Sequence, residues 1–128
     1  MMLQFMKKNL LYVLIALNIS MLTSCTNNQN NSLIIGKWQG AEWLVNGKPS
    51  AHNAKATIFT FNQKNEYSFD YAGTIEKGTY KVENTMLFTT AENKQEIMVN
   101  ITTLTSDSLV FNMNSGGEQE TLILLRKK

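Results

Sequence analysis

The chain has 128 residues, 43% of them hydrophobic, with 12 basic and 10 acidic side chains, a formal net charge of +2 and one cysteine. That length fits one small domain, one cysteine excludes an intrachain disulfide, and the lack of a basic stretch excludes the counterion-displacing surface that nucleic acid requires. The averages hide two populations: the first 24 residues hold 16 of about 55 apolar side chains, and from Cys25 onward ten bases balance ten acids.

Met6-Lys7-Lys8 is a charged segment followed by an unbroken apolar run of eight residues, Leu10 to Leu17. A membrane-spanning helix needs about 20 apolar residues, so the pattern predicts a helical signal peptide over residues 1–24, with translation starting at Met1 or Met6. The run closes in Leu22-Thr23-Ser24-Cys25, which resembles the lipobox of bacterial lipoproteins. The resemblance implies that the Cys25 thiol receives diacylglycerol, that cleavage falls just before it, and that Leu22, Thr23 and Ser24 fit the peptidase. Acyl chains contribute about 0.8 kcal/mol per buried CH₂, so two or three of them hold a protein on a membrane. Residues 25–32 are then a lipidated cysteine and a flexible tether, since TNNQNNS is polar and aperiodic. Thr26 is not the aspartate that resembles an inner-membrane retention signal, and no acidic run resembles a surface-export signal. The expected location is the cell envelope, at the outer membrane facing the periplasm, with surface exposure as the alternative.

From residue 33 to 128 the dominant signal is period-2 alternation. Tyr67, Phe69 and Tyr71 alternate with polar neighbours, as do Thr57, Phe59 and Phe61, and as do Ile97, Val99 and Ile101. Eight strands are predicted, at 36–45, 56–62, 65–71, 76–82, 85–90, 95–104, 108–113 and 119–126. Turn-forming residues separate them. Short connections favour an all-β antiparallel up-and-down meander, and closing it into a barrel removes its exposed edges. In the first strand Ala41, Trp43 and Val45 are out of phase with Trp38. A bulge at Gln39-Gly40 reconciles them, leaving Trp43 either a second interior aromatic or an exposed one on a partner face. Leu122 to Leu125 is apolar on both faces, so the last strand is covered twice or caps something.

Gly36-Lys37-Trp38 resembles the Gly-x-Trp opening of lipocalin-like barrels. There the glycine permits a bend and the tryptophan plugs the narrow end beneath an arginine from the last strand. Arg126 is the single arginine of this chain, and an up-and-down order puts it at the same end as Trp38. Gly36, Trp38 and Arg126 are therefore the candidate barrel closure. Gly78-Thr79-Tyr80 and the Leu104–Leu109 turn add to the resemblance, which covers residues 33–126 and is to the compact lipocalin-like domains common in Bacteroidetes lipoproteins. The chain is shorter than a full lipocalin and lacks its Thr-Asp-Tyr motif and disulfide, which leaves open whether the barrel encloses a cavity.

Meander order sends the longer connections, 46–55, 72–75, 91–94 and 114–118, to one end, the natural mouth. The tether enters at the other end, so the mouth is expected to point away from the membrane. Candidate ligand-lining side chains are Phe59, Phe61, Tyr67, Phe69, Tyr71, Tyr80, Val99, Ile101 and Phe111, for which plain core is the competing reading. Buried hydroxyls of Tyr67, Tyr71 and Tyr80 would need polar partners, from a ligand headgroup or from the rim. Catalytic chemistry is thin: no metal site, cofactor or catalytic residue is expected. His52 is the only histidine and sits in a polar loop, and Glu66, Asp70, Glu118 and Glu120 read as outward charges. Two functions stay open. One is a membrane-anchored protein binding a small apolar or amphipathic ligand in the barrel mouth. The other is a solid-cored scaffold or inhibitor module acting on an envelope protein partner.

Overall fold

A computed structural model describes residues 27–128; the signal, lipobox and Cys25 expectations lie outside the described residues. Helix α1 (Asn27–Ile34) leads into strands β1 (Gly36–Val45) and β2 (Lys48–Pro49). A single 3-10 turn (Ala54–Ala56) then precedes β3 (Thr57–Phe61), β4 (Glu66–Tyr71) and β5 (Thr74–Glu83). The chain continues through β6 (Met86–Ala91), β7 (Glu96–Leu104), β8 (Ser108–Ser115) and β9 (Glu118–Arg126). From β4 to β9 every strand pairs antiparallel with the one before it, and β1 pairs with both β3 and β9. The sheet thus closes on itself as an eight-stranded up-and-down barrel, with β2 appended outside it. Each of the eight predicted strands lies within two residues of its expected bounds.

The alternation works because each barrel strand buries one face only. Phe61 and Tyr67, Phe59 and Phe69, and Thr57 and Tyr71 face one another across β3 and β4. On the far side Leu109 and Phe111 sit opposite Leu124 and Leu122. A bulge between Gly40 and Glu42 makes Ala41 the extra residue of β1, one position beyond the expected site. Gly40 is required there because a Cβ would collide with the Ala54 carbonyl. Past the bulge Trp43 pairs with Leu122 and faces the interior, which settles the two readings of this residue.

Two local elements differ from expectation. Residues 27–32, read as part of a flexible tether, belong to α1, whose Ile34 is fully buried. Asn30 Nδ2 donates to the Asn84 carbonyl at 2.9 Å, so the helix lies across the β5–β6 turn at the narrow end. Lys48-Pro49, read as loop, forms a short hairpin with Leu44-Val45. Its turn is Asn46-Gly47, both at positive φ (52° and 78°), the two-residue geometry that matches strand twist.

The β1–β3 ladder is short. It runs from Gly36 opposite Phe61 to Gln39 opposite Ile58 and stops. Beyond it the strands part, and residues 50–56 fill the seam. They are held by Ser50 N donating to Trp43 O (2.9 Å) and Gln39 Nε2 donating to Lys55 O (3.0 Å).

Candidate functional site

The two halves of the barrel differ in packing. Towards the closed end Ile34, Trp38, Phe61, Leu87, Leu109, Phe111, Leu122 and Leu124 are all at most 2% exposed. That half is solid. Aromatic contacts tie it together: Phe61 meets Tyr80 edge-on at 4.9 Å, and Phe59 meets Phe111 edge-on at 5.5 Å. Such pairs add about 0.5–1.5 kcal/mol each beyond burial.

Gly36, Trp38 and Arg126 come together at the floor. The Arg126 guanidinium lies 4.2 Å over the Trp38 ring, within cation–π range. Its Nη1 and Nη2 donate to the carbonyls of Ile35 (2.8 Å) and Leu33 (2.6 Å), while Trp38 Nε1 donates to Ile34 O at 2.8 Å. Three successive carbonyls at the end of α1 are therefore capped by side chains, with a cation where the helix dipole is negative. Gly36 has φ +136°, and a Cβ there would strike Arg126 Nη1.

The nine candidate lining residues divide along the barrel axis. Phe61, Tyr67, Tyr80, Ile101 and Phe111 are buried in the core cluster, while Phe59, Phe69, Tyr71 and Val99 are only half-buried, nearer the mouth. The tyrosine hydroxyls find protein partners. Tyr80 donates to Asn62 O at 2.8 Å, and Tyr71 accepts from Asn53 N at 3.2 Å. Burial raises the Tyr67 pKa above 10.0, as does the nearby Glu76 charge, while a hydrogen bond with Thr89 opposes them. Burial alone raises that of Tyr80. The hydroxyls therefore do not call for a ligand.

The polar atoms left over are others. Trp43 Nε1 and Thr57 Oγ1 are buried and have no hydrogen-bond partner among the described residues. Both belong to one neighbourhood. Thr57 pairs with Tyr71 across β3 and β4, and the Tyr71 ring meets the Trp43 indole edge-on at 6.2 Å. His52, exposed on the 50–56 segment, stacks on the indole at 4.4 Å with 28° between planes. A cleft of about 390 Å³ opens here, lined by Trp43, His52, Ala54, Pro49 and Glu42 among others. A larger cleft, about 620 Å³, lies on the outer face of β3–β6 among Thr60, Ser68, Lys77 and Thr79. Its polar groups are open to water, so nothing there is left unsatisfied.

Sequence reasoning did not bring His52 to Trp43, because a stack between a loop and a strand nine residues earlier has no periodic signature. It also placed Glu120 outward. Glu120 shares the face of Leu122 and Leu124 and lies opposite Met113, so it points inward at the mouth. The alternation with Leu122 was the available signal. Glu76 faces inward beside Phe69 and pairs with Lys94 at 3.2 Å. The mouth is thus aromatic with carboxylates at its rim. Among the described residues no three His, Cys, Asp or Glu side chains are grouped to hold a metal ion, and no helix is long and apolar enough to cross a membrane.

Comparison with known proteins agrees with this architecture. A family model described as a lipocalin-like domain matches residues 34–111. No curated protein matches the chain. Two crystal structures share the fold. An uncharacterized protein from Bacteroides eggerthii is 16% identical with a TM-score of 0.57, covering 73% of this chain and 99% of its own. A lipocalin-like protein from Bacteroides uniformis is 16% identical with a TM-score of 0.56, covering 73% and 98%.

Proposed function

Since the chain belongs to the lipocalin-like domain family, we propose that it is a non-catalytic binding protein of the cell envelope, anchored by lipid on Cys25. The anchor holds it at the outer membrane facing the periplasm. Its ligand is a small amphipathic molecule seated at the mouth between Trp43 and the 50–56 segment. The observation that carries this reading is the pair of partnerless buried atoms, Trp43 Nε1 and Thr57 Oγ1. An unsatisfied buried polar group costs about 1–3 kcal/mol, and a ligand carbonyl or hydroxyl accepting from the indole and meeting the threonine recovers that cost. The half-buried Phe59, Phe69 and Val99 support an apolar tail directed into the barrel, whose solid floor limits the tail to a short one.

The test is titration of the purified protein with short-chain monoacylglycerols, followed by tryptophan emission and native mass spectrometry. Trp43→Phe keeps the apolar bulk and removes the donor, so it is expected to weaken binding by about 5- to 30-fold, the equivalent of 1–2 kcal/mol. A chain that neither carries nor acquires an amphiphile sinks the proposal.

A second reading, an interaction module for an envelope protein, is favoured by the exposed side chains of Ile75 (57%), Ile97 (56%) and Met98 (61%). It requires crosslinking from position 98 to a protein partner and insensitivity to Trp43→Phe.

A further inference from the structure

The charge balance of the domain is a balance between two ends. The closed half carries Lys37, Lys64, Lys81, Arg126, Lys127 and Lys128 against Glu66, Glu83 and Asp107, a formal +3. The mouth half holds the other seven carboxylates against four lysines, a formal −3. Among the described residues the lysine–carboxylate ion pairs are Lys81–Glu83 and Lys94–Glu76, so Lys37, Lys64, Lys127 and Lys128 make no side-chain ion pair. All four are exposed. Lys127 N donates to Lys37 O at 2.8 Å, which sets those two residues side by side. Leu125, two residues before Lys127 in β9, faces outward opposite Gln39 and Ser108 and is 49% exposed. An exposed apolar side chain at an end that carries unpaired lysines matches the headgroup boundary of an anionic bilayer, which takes both charge and a little hydrocarbon.

Chain connectivity brings this surface to a membrane. The helix begins at Asn27, two residues after Cys25, a span of at most about 7 Å. The helix is itself fixed across the closed end by Asn30 on Asn84 and by Arg126 on Leu33 and Ile35. A lipid on Cys25 therefore pulls the basic end, not the mouth, against the bilayer.

We propose that the closed end of the barrel docks flush on anionic lipid headgroups through Lys37, Lys64, Leu125, Lys127 and Lys128, directing the mouth away from the membrane. This rests on the reading that Cys25 carries the anchor. Because acylation consumes the only native thiol, a bimane probe can be attached singly to mature lipidated protein carrying Leu125→Cys or, at the mouth, Ser115→Cys. The proteins are reconstituted in phosphatidylcholine vesicles, with or without one quarter phosphatidylglycerol, containing a nitroxide-labelled lipid.

The expected result is quenching at position 125 at least threefold stronger than at 115 when phosphatidylglycerol is present. It should fall towards parity in high salt, as screening predicts, and on the combined change Lys37→Glu, Lys127→Glu and Lys128→Glu. Equal quenching at both positions, or quenching at 125 that ignores phosphatidylglycerol, overturns the docking while leaving the anchor intact. Failure of the protein to float with vesicles of either composition overturns the anchor, and the docking with it.

Discussion

Arg126 fastens both ends of the domain to the barrel floor. One guanidinium stacks on Trp38 and reaches two carbonyls at the end of α1, more than ninety residues away in sequence. Charge-assisted hydrogen bonds contribute about 1.5–3 kcal/mol each when shielded, less here because the side chain is only partly buried. Arg126→Ala is expected to cost about 2–4 kcal/mol in urea unfolding. Arg126→Lys should recover less than half of that, since an ammonium cannot stack and fork together. Full recovery by lysine would show that charge alone suffices. Arg126 was legible because it is the single arginine and topology puts it beside Trp38. Trp43 was legible only as two alternatives, because alternation breaks at a bulge whose position depends on how Gly40 meets Ala54.

At the scale of elements, the strands were readable and the helix was not. Each strand must bury one face and wet the other, so the requirement is written into every second residue. Helix α1 has no such pattern: the sequence NNQNNSLI carries its apolar residues only at the end. Its stability comes from the floor beneath it, where Ile34 is 0% exposed and the terminal carbonyls are capped. Ile34→Ala should accordingly destabilise the whole barrel by about 2–4 kcal/mol, as buried large-to-small changes do. Thermal melting would check this, and a change below about 0.5 kcal/mol would mean that α1 is a detachable appendage. The β2 hairpin is a different case. Asn46-Gly47 is a strong two-residue turn signal, but its partner strand is only two residues long, too short for alternation to register.

The molecule as a whole is a barrel with one solid half and one open half. Its alkaline limit follows from the solid part. Tyr67 and Tyr80 have pKa values raised mainly by burial, so the folded state holds their protons more tightly than the unfolded state does. That contribution is fully present below about pH 10, the unfolded pKa, and is lost as pH rises through the folded values. Stability should therefore fall above pH 10, and the fall should shrink in the Tyr67→Phe/Tyr80→Phe double variant. An unchanged alkaline slope in that variant would move the cause elsewhere. The open half has its own consequence. Since the β1–β3 ladder ends at Gln39 and Ile58, the seven residues from 50 to 56 bridge a gap in the sheet instead of belonging to it. Their exposed part, residues 51–53, is a replaceable panel that can lengthen, shorten or change composition, while Ala54 stays against Gly40 and keeps the β1 bulge in place. One fixed scaffold can in this way present differently shaped surfaces at its open end, by natural drift or in the laboratory.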